Sequence, residues 1–326
     1  MKHMRVLERR SNTCVPHLRG MGVELKRMTL SGWIVYNANS GQQSLSHAQR
    51  FEQVAKDIGI RVQVMGNNTI LAQFQGQQPT LFSTKRISLP DFALFWDKDK
   101  YLARQLEILG VRLFNSATAI ESCDDKCIMY QRMSHKSISI PRTIVAPKVH
   151  PWNGPRDFDQ YIPAAEALGF PLVVKEAFGS YGDKVYLIRD KKELVEKLEE
   201  IEGIPFLFQE FVSSSFGRDI RVQVVGGVPV ASMLRVSMGD FRSNIAKGAK
   251  YTKHQLTEQQ RALALLCADA LELDFGGVDL LFGPREEPIV CEVNSNAHVL
   301  KISDCTGVDV PYTIMKHIVT VMSDHR

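Results

Sequence analysis

Residues 274 to 296, DFGGVDLLFGPREEPIVCEVNSN, read as two short apolar strands joined by a polar turn that holds Pro284 and Pro288. Side chains alternate along a strand, so Glu292 and Asn294 point one way while Cys291 and Val293 point the other, and Cys291 reads as core. Asp279 is flanked by Val278 and Leu280 on the preceding strand. An acid there sits on a strand built for burial, where an unpaired charge is costly. Two carboxylates and an amide supply oxygen ligands for a hard cation, whose other positions take water and phosphate oxygens. The stretch is therefore a candidate magnesium site, set against the plainer reading of a solvated hairpin with surface acids.

Upstream, strands and helices alternate. GWIVY at 32 to 36 is a strand, followed by a polar loop and a helix whose apolar face carries Phe51, Val54, Ala55 and Ile58. Further strands follow at 61 to 64 and 92 to 96, the latter closing on DKDK before a helix with Leu102, Leu106 and Leu109. Such alternation implies a parallel sheet, and the loops at the carboxyl ends of its strands, 37 to 42 and 97 to 100, face a ligand crevice. A helix from about Ala117 carries Cys123, Asp125, Lys126 and Cys127; two cysteines one turn apart without further ligands make no metal site.

Lys175 lies in an apolar strand that leads through GSYG, 179 to 182, into a return strand at 185 to 188. A Walker-type phosphate loop leads into a helix instead, so this glycine loop reads as a hairpin tip able to fold over phosphates. Beyond it come an amphipathic helix at about 191 to 201, the strand 206 to 209, and a pair of strands turning at Gly226-Gly227. Thr257 with Gln260 three residues on is a capping box for the helix that delivers the chain to the acidic hairpin.

Composition excludes several classes. With 326 residues, 44% hydrophobic, the chain is long enough for two or three lobes around substantial cores. A net charge of +4 with both signs interspersed gives no nucleic-acid groove, and no apolar run reaches membrane-spanning length. Six cysteines without a CxxC pair point to reduced thiols in the cytoplasm.

Lys126, Lys175, the 179 to 182 loop, the QEFV segment at 209 to 212, GDFRSN at 239 to 244, DFGGVDLL at 274 to 281 and EVNSN at 292 to 296 occur in the order found in the ATP-grasp superfamily. The chain most resembles its RimK-like amino-acid (alpha-L-glutamate) ligases, over roughly residues 90 to 320. The resemblance implies a mixed α/β, three-lobe ATP-grasp fold with an N-terminal parallel-sheet domain and ATP between the central and C-terminal lobes. The lobes are expected at 29 to 115, 116 to 204 and 205 to 326, with 1 to 28 a flexible extension. It implies a ligase that activates a carboxylate as an acyl phosphate before an amine attacks it, adding glutamate or another amino acid to a peptide or small amine. Lys126, Lys175, Gly179, Ser180, Tyr181 and Gly182 are expected to hold the phosphates, Gln209, Glu210, Phe211 and Val212 the adenine, and Asp219 the ribose.

By the same resemblance Asp279, Glu292 and Asn294 take magnesium or manganese, two ions in all. Arg235, Arg242 and Asn244 act on the donor carboxylate and the charge that develops during transfer. Arg221 reads equally as a site residue or a structural ion-pair partner. After the metal asparagine many relatives continue with a small residue, proline and glycine; this chain continues Ser295, Asn296, Ala297, His298. His298 is open to a role in orienting or deprotonating the amine and to a structural one. Homo-oligomerisation is left open. The alternatives within the fold are a small-molecule kinase and a non-catalytic nucleotide-binding regulator.

Overall fold

The computed structural model describes residues 30–149, 158–180, 182–243 and 248–324. The expected extension at 1–28, most of the proline-rich stretch at 147–157, Tyr181 and Asn244 lie outside the described residues. The chain starts with β1 (Ser31–Tyr36), α1 (Gly41–Asp57) and β2 (Arg61–Gly66), and continues after a hairpin to β5 (Phe92–Trp96), α2 (Lys100–Ile108) and β6 (Arg112–Phe114). These four strands make the expected parallel sheet, ordered β2-β1-β5-β6. Trp33, Val35, Ala93 and Phe95 pack on one side with Leu102 and Leu106; Ile34, Phe92, Leu94 and Phe114 pack on the other with Phe51 and Val54. Cover on both faces is why the strands are continuous apolar runs instead of alternating ones.

Two departures from the sequence reading appear here. Strands β3 (Leu71–Gln75) and β4 (Gln78–Phe82) form an unanticipated hairpin. It buries no continuous apolar face, with Phe74 70% exposed, so the sequence pattern carried no strand signal. The helix expected through Ala117 and Lys126 is two, α3 (Ala117–Asp124) and α4 (Lys126–Ser134). Asp125 breaks it: its backbone is extended and its carboxylate caps α4 by accepting from the Cys127 and Ile128 N–H groups. Cys123 and Cys127 consequently lie on different helices, and Lys126 becomes the first residue of α4.

The second sheet is antiparallel, ordered β7 (Thr143–Val145), β10 (Phe206–Glu210), β8 (Leu172–Glu176) and β9 (Val185–Ile188). Its core takes Leu168 from α5 (Ile162–Leu168) and Leu194 and Leu198 from α6 (Lys191–Glu200). The third sheet, also antiparallel, runs β13 (Lys250–Lys253), β12 (Val228–Val236), β11 (Arg218–Val225), β14 (Phe275–Phe282) and β15 (Pro288–Asn294). One face is covered by α4 and α7 (Glu258–Ala270), which starts with the expected capping box. After α8 (Leu300–Thr306), α9 (Val310–Asp324) returns to the first sheet, where Ile314, Met315 and Ile318 join Phe51 and Phe92. Fully burying a side chain such as Phe51 or Phe275 contributes about 1.5–3 kcal/mol.

Asn115 fixes the first sheet to the acidic hairpin. It is buried, its Nδ2 donates to the Phe275 and Ser295 carbonyls at 2.8 and 2.9 Å, and its Oδ1 accepts from the Asp274 and Phe275 N–H groups at 2.8 and 3.2 Å. Every hydrogen-bonding position of the amide is filled, so the loop after Asn294 is held against the N-terminal lobe.

Candidate active site

A cleft of about 610 Å³ lies where the three sheets converge. It is lined from the second sheet by Lys175 and Gln209, from the third by Asp219, Arg235, Asp279 and Glu292, and from the first by Asn37, Trp96 and Asp97. The expectation that the loops after β1 and β5 face a crevice is met there.

The expected phosphate-binding residues meet at one wall. Lys126 is buried at the start of α4, its Nζ 3.2 Å from the Gly179 carbonyl and 3.9 Å from Glu292 Oε1. Burial lowers its pKa, Glu292 opposes that, and the charges of Lys175 and Lys98 add to the lowering. Buried Lys175 donates to the Tyr130 hydroxyl at 3.2 Å, and Tyr130 donates in turn to the Cys291 carbonyl. Ser180 accepts from Lys98 Nζ at 3.2 Å, bringing the hairpin tip to the loop after β5. A wall with more cations than anions favours a polyanion.

Gly179 and Gly182 both have positive φ, at 153° and 69°, and a Cβ on Gly179 would come within 2.9 Å of the Lys184 side chain. The tip is anchored from the third lobe, since Arg242 Nη1 donates to the Gly182 carbonyl at 2.7 Å and to the Val185 carbonyl at 3.3 Å. The rest of that guanidinium forks onto Asp240, at 2.6–3.1 Å.

On the expected adenine side, Gln209 is buried and donates to Thr143 Oγ1 at 2.8 Å. Glu210 is held by Arg142: its N–H donates to the Arg142 carbonyl at 2.9 Å and its carboxylate accepts from Arg142 Nε at 2.6 Å. Phe211 and Val212 line the cleft, with the Phe211 ring edge-on to Phe216 and Phe241.

The third sheet supplies a buried quartet of two guanidiniums and two carboxylates. Cross-strand register puts Asp219 opposite Arg235 and Arg221 opposite Asp279. Arg235 forks onto Asp219 with both contacts at 2.6 Å and reaches Asp279 Oδ2 at 3.0 Å; Arg221 forks onto Asp279 from its Nε and, at 2.6 Å, its Nη2. Burial alone would raise the Asp279 pKa, but Arg221 and Arg235 outweigh it and hold the carboxyl below the usual range. Arg221, open to two readings in the sequence, makes this ion pair and also lines the cleft. Gly277 makes room for it: a Cβ there would lie 3.0 Å from Arg221 Cδ and 2.4 Å from the Ala297 Cβ.

Glu292 pairs with Asp279 across β14 and β15, and Asn294 with Gly277, so the three oxygen-bearing residues of the hairpin reach one region of the cleft. No group of three or more His, Cys, Asp or Glu side chains forms a metal cage among the described residues. Two carboxylates and an amide are what a magnesium ion takes when it borrows further oxygens from phosphates, so the donor set fits such an ion. Cys291 corrects the sequence reading. A bulge, in which Asp279 faces Glu292 while Leu280 faces Val290, interrupts the alternation, and Cys291 lines the cleft beside Glu292. Burial pushes its thiol up to about 11, so it is no thiolate.

His298 lines the same cleft with its pKa lowered to about 4 by burial, next by His47, Arg221 and Lys301. His47 and Asp97, which sequence reasoning did not single out, join it. The signal available was only their place, since Asp97 lies in a loop expected to face the crevice and His47 in the helix after the other.

A family model for the RimK-like ATP-grasp domain matches residues 123–318. Human N-acetylaspartylglutamate synthase A is 34% identical over 279 residues, which is 85% of this chain and 70% of that protein. The probable alpha-L-glutamate ligase of Syntrophotalea carbinolica is 37% identical over 220 residues, 67% of this chain and 70% of that one. The chain spans 55 to 70% of the length of the first vertebrate relatives it matches. In fold it is similar to the Bacillus anthracis D-alanine–D-alanine ligase complexed with ATP, with a TM-score of 0.67 at 20% identity over 91% of this chain and 100% of that one.

Proposed function

We propose that this chain, which belongs to the RimK-like ATP-grasp family, joins the carboxyl group of a small acidic compound to the amine of L-glutamate. Membership makes it an ATP-dependent ligase that forms carbon–nitrogen bonds. The choice of glutamate follows from the names of the relatives, an N-acetylaspartylglutamate synthase and an alpha-L-glutamate ligase. The observation that carries the reading is the convergence of Lys126, Lys175, Glu292, Asp279 and Asn294 on one cleft whose far walls are the QEFV strand end and the N-terminal sheet.

In this reading Lys126, Lys175 and the tip at Gly179, Ser180 and Gly182 hold the ATP phosphates. Gln209 to Val212 contact the adenine and Asp219 faces the ribose. Asp279, Glu292 and Asn294 would hold magnesium or manganese, two ions in all, and the metal would supply charge to neutralise the phosphates. The donor carboxylate oxygen attacks the γ-phosphorus and ADP leaves. The amine then attacks the acyl carbon, and phosphate leaves with that oxygen while the amine proton passes to solvent. Arg235 stabilises this charge through the quartet, and Arg242 positions the tip that excludes water from the acyl phosphate. A cytoplasmic location is supported by the free thiols of Cys123, Cys127, Cys267, Cys291 and Cys305, and among the described residues no helix is long and apolar enough to cross a membrane. Neither a nucleic-acid nor a membrane partner is proposed. The alternatives, a kinase or a non-catalytic regulator, find no support among the relatives.

The test is a reaction of ATP, magnesium, N-acetyl-L-aspartate or another small acid, and L-glutamate, with products read by mass spectrometry. One ADP and one phosphate per amide is expected, and Glu292→Ala should abolish both. AMP with pyrophosphate, or unchanged ADP release by the variant, contradicts the reading.

A further inference from the structure

The wall that the first sheet gives to the cleft contains two buried polar side chains not used by the nucleotide or metal residues. His47 is 2% exposed and Asp97 4%. His47 Nδ1 lies 2.8 Å from the Gln43 carbonyl, which can only accept, so Nδ1 carries the proton and Nε2 presents a lone pair. Asp97 Oδ1 accepts from Asn37 Nδ2 at 3.1 Å and from the Lys98 N–H at 2.7 Å. His47 Nε2 and Asp97 Oδ2 have no partner. Asn67, whose oxygen accepts from the Ala38 N–H, lends the Asp97 carboxyl a weak side-chain interaction that lowers its pKa, while no hydrogen bond of ordinary length reaches Oδ2.

Buried polar atoms in folded proteins are almost always paired, so two orphans on side chains that line one cleft mark a missing group. Both orphans are acceptors, and the group that completes them must donate. A carboxylate or phosphate would meet repulsion at Asp97; an amine or ammonium supplies N–H donors to both. His47 is held in place by Trp96, stacked on it at 5.9 Å, and by His298, edge-on at 4.7 Å. Lys301 lines the same cleft and has no ion-pair partner among the described residues, which leaves a cation for an acid group on the same ligand.

We propose that Asp97 and His47 form the subsite that seats the amine of an acceptor amino acid, with Lys301 facing its acid group. The proposal rests on the ligase reading for the identity of the amine. Burial lowers the His47 and His298 pKa values, so neither imidazole carries a charge that would displace an ammonium from Asp97 at neutral pH. Burial raises the Asp97 pKa, so its charge opposes folding of the empty protein. A group with a raised folded pKa stabilises below its unfolded pKa and loses that contribution as pH rises through the folded one. Wherever Asp97 is ionised its charge is a cost in stability, as expected of a residue kept for its ligand.

The experiment compares the wild type with Asp97→Asn and His47→Asn, the second keeping an N–H for the Gln43 carbonyl while removing the Nε2 acceptor. Amide formation from N-acetyl-L-aspartate and L-glutamate is measured alongside hydroxamate formation, in which hydroxylamine replaces glutamate and needs no amine subsite. The expected result is a tenfold or larger rise in KM for L-glutamate. KM for ATP and hydroxamate formation should stay within twofold of wild type, and Asp97→Asn should melt no lower than wild type at pH 7.5. An unchanged KM for L-glutamate, or a parallel fall of both activities in a folded Asp97→Asn protein, overturns the proposal and makes the two residues structural, their orphan atoms satisfied by water. If the wild type forms no hydroxamate, the acyl-phosphate reading fails by itself, and calorimetric titration of L-glutamate onto the protein with ATP and magnesium then decides the subsite. Binding by the wild type that Asp97→Asn loses supports it, and absence of binding by the wild type overturns it.

Discussion

Replacing Arg221 by leucine should destabilise the protein through a carboxylate it does not itself carry. Arg221 forks onto buried Asp279, which keeps only the single 3.0 Å contact from Arg235 when that fork is gone. Removing one partner of a buried ion pair costs about 3–5 kcal/mol, because the remaining charge stays desolvated. With an unfolding entropy of about 2.1 cal/mol/K per residue, the 326-residue chain loses ~0.7 kcal/mol of stability per degree near its midpoint if it melts as one unit, so ~4 kcal/mol lowers Tm by ~6 °C. The double variant Arg221→Leu, Asp279→Leu removes both charges and should recover at least ~2 kcal/mol of that loss. The sign of the pH effect follows from Asp279. Its folded pKa is depressed, so its contribution is present above the unfolded value near 4 and disappears as pH falls through the folded one. Arg221→Leu should therefore lose less stability, relative to wild type, at acid pH than at pH 7. Scanning calorimetry of the four proteins of the cycle gives the answer. A Tm within ~1 °C of wild type for Arg221→Leu, or additive effects in the double variant, would refute the quartet as a structural unit.

Arg242→Ala releases two tip carbonyls, and a charged hydrogen bond is worth about 1.5–3 kcal/mol, so KM for ATP should rise about tenfold or more while KM for the amine stays put. Steady-state kinetics with each substrate varied checks it. Gly182→Val forces a branched side chain into a φ of 69°, and amide yield should fall more than ADP release because an imperfect lid admits water. Measuring both products on one sample decides, and an equal fall would limit the tip to nucleotide binding. His298 has a folded pKa of about 4 against an ordinary 6.5, so its contribution is present above 6.5 and lost as pH falls through 4. His298→Gln should then lose about 3 kcal/mol less than wild type between pH 7 and pH 3.5, read from urea midpoints at the two pH values.

The acidic hairpin was legible because an acid between branched apolar residues is a strong local anomaly, as at Asp279. The parallel sheet was legible from GWIVY and FALFW, runs too apolar for any place but a sheet covered on both faces. Alternation misplaced Cys291, since a bulge is a backbone event without a glycine or proline to announce it. Asp125 hid a helix break inside a helical run, where a cap and an ordinary helix-surface acid look alike. The Arg221–Asp279 fork was out of reach because β11 and β14 are neighbours only in the folded sheet, 58 residues apart along the chain. His47 and Asp97 show the same limit. Each is an ordinary residue in its segment, and only the parallel pairing of β1 with β5 brings α1 and the loop after β5 to one wall.

The central claim is that a carboxylate is activated by direct phosphorylation in this cleft. It is tested most directly by labelling both oxygens of the donor carboxylate with oxygen-18 and recovering the inorganic phosphate by mass spectrometry after amide formation. One labelled oxygen per phosphate is predicted, with the other retained in the amide. Unlabelled phosphate beside a product amide would contradict the account.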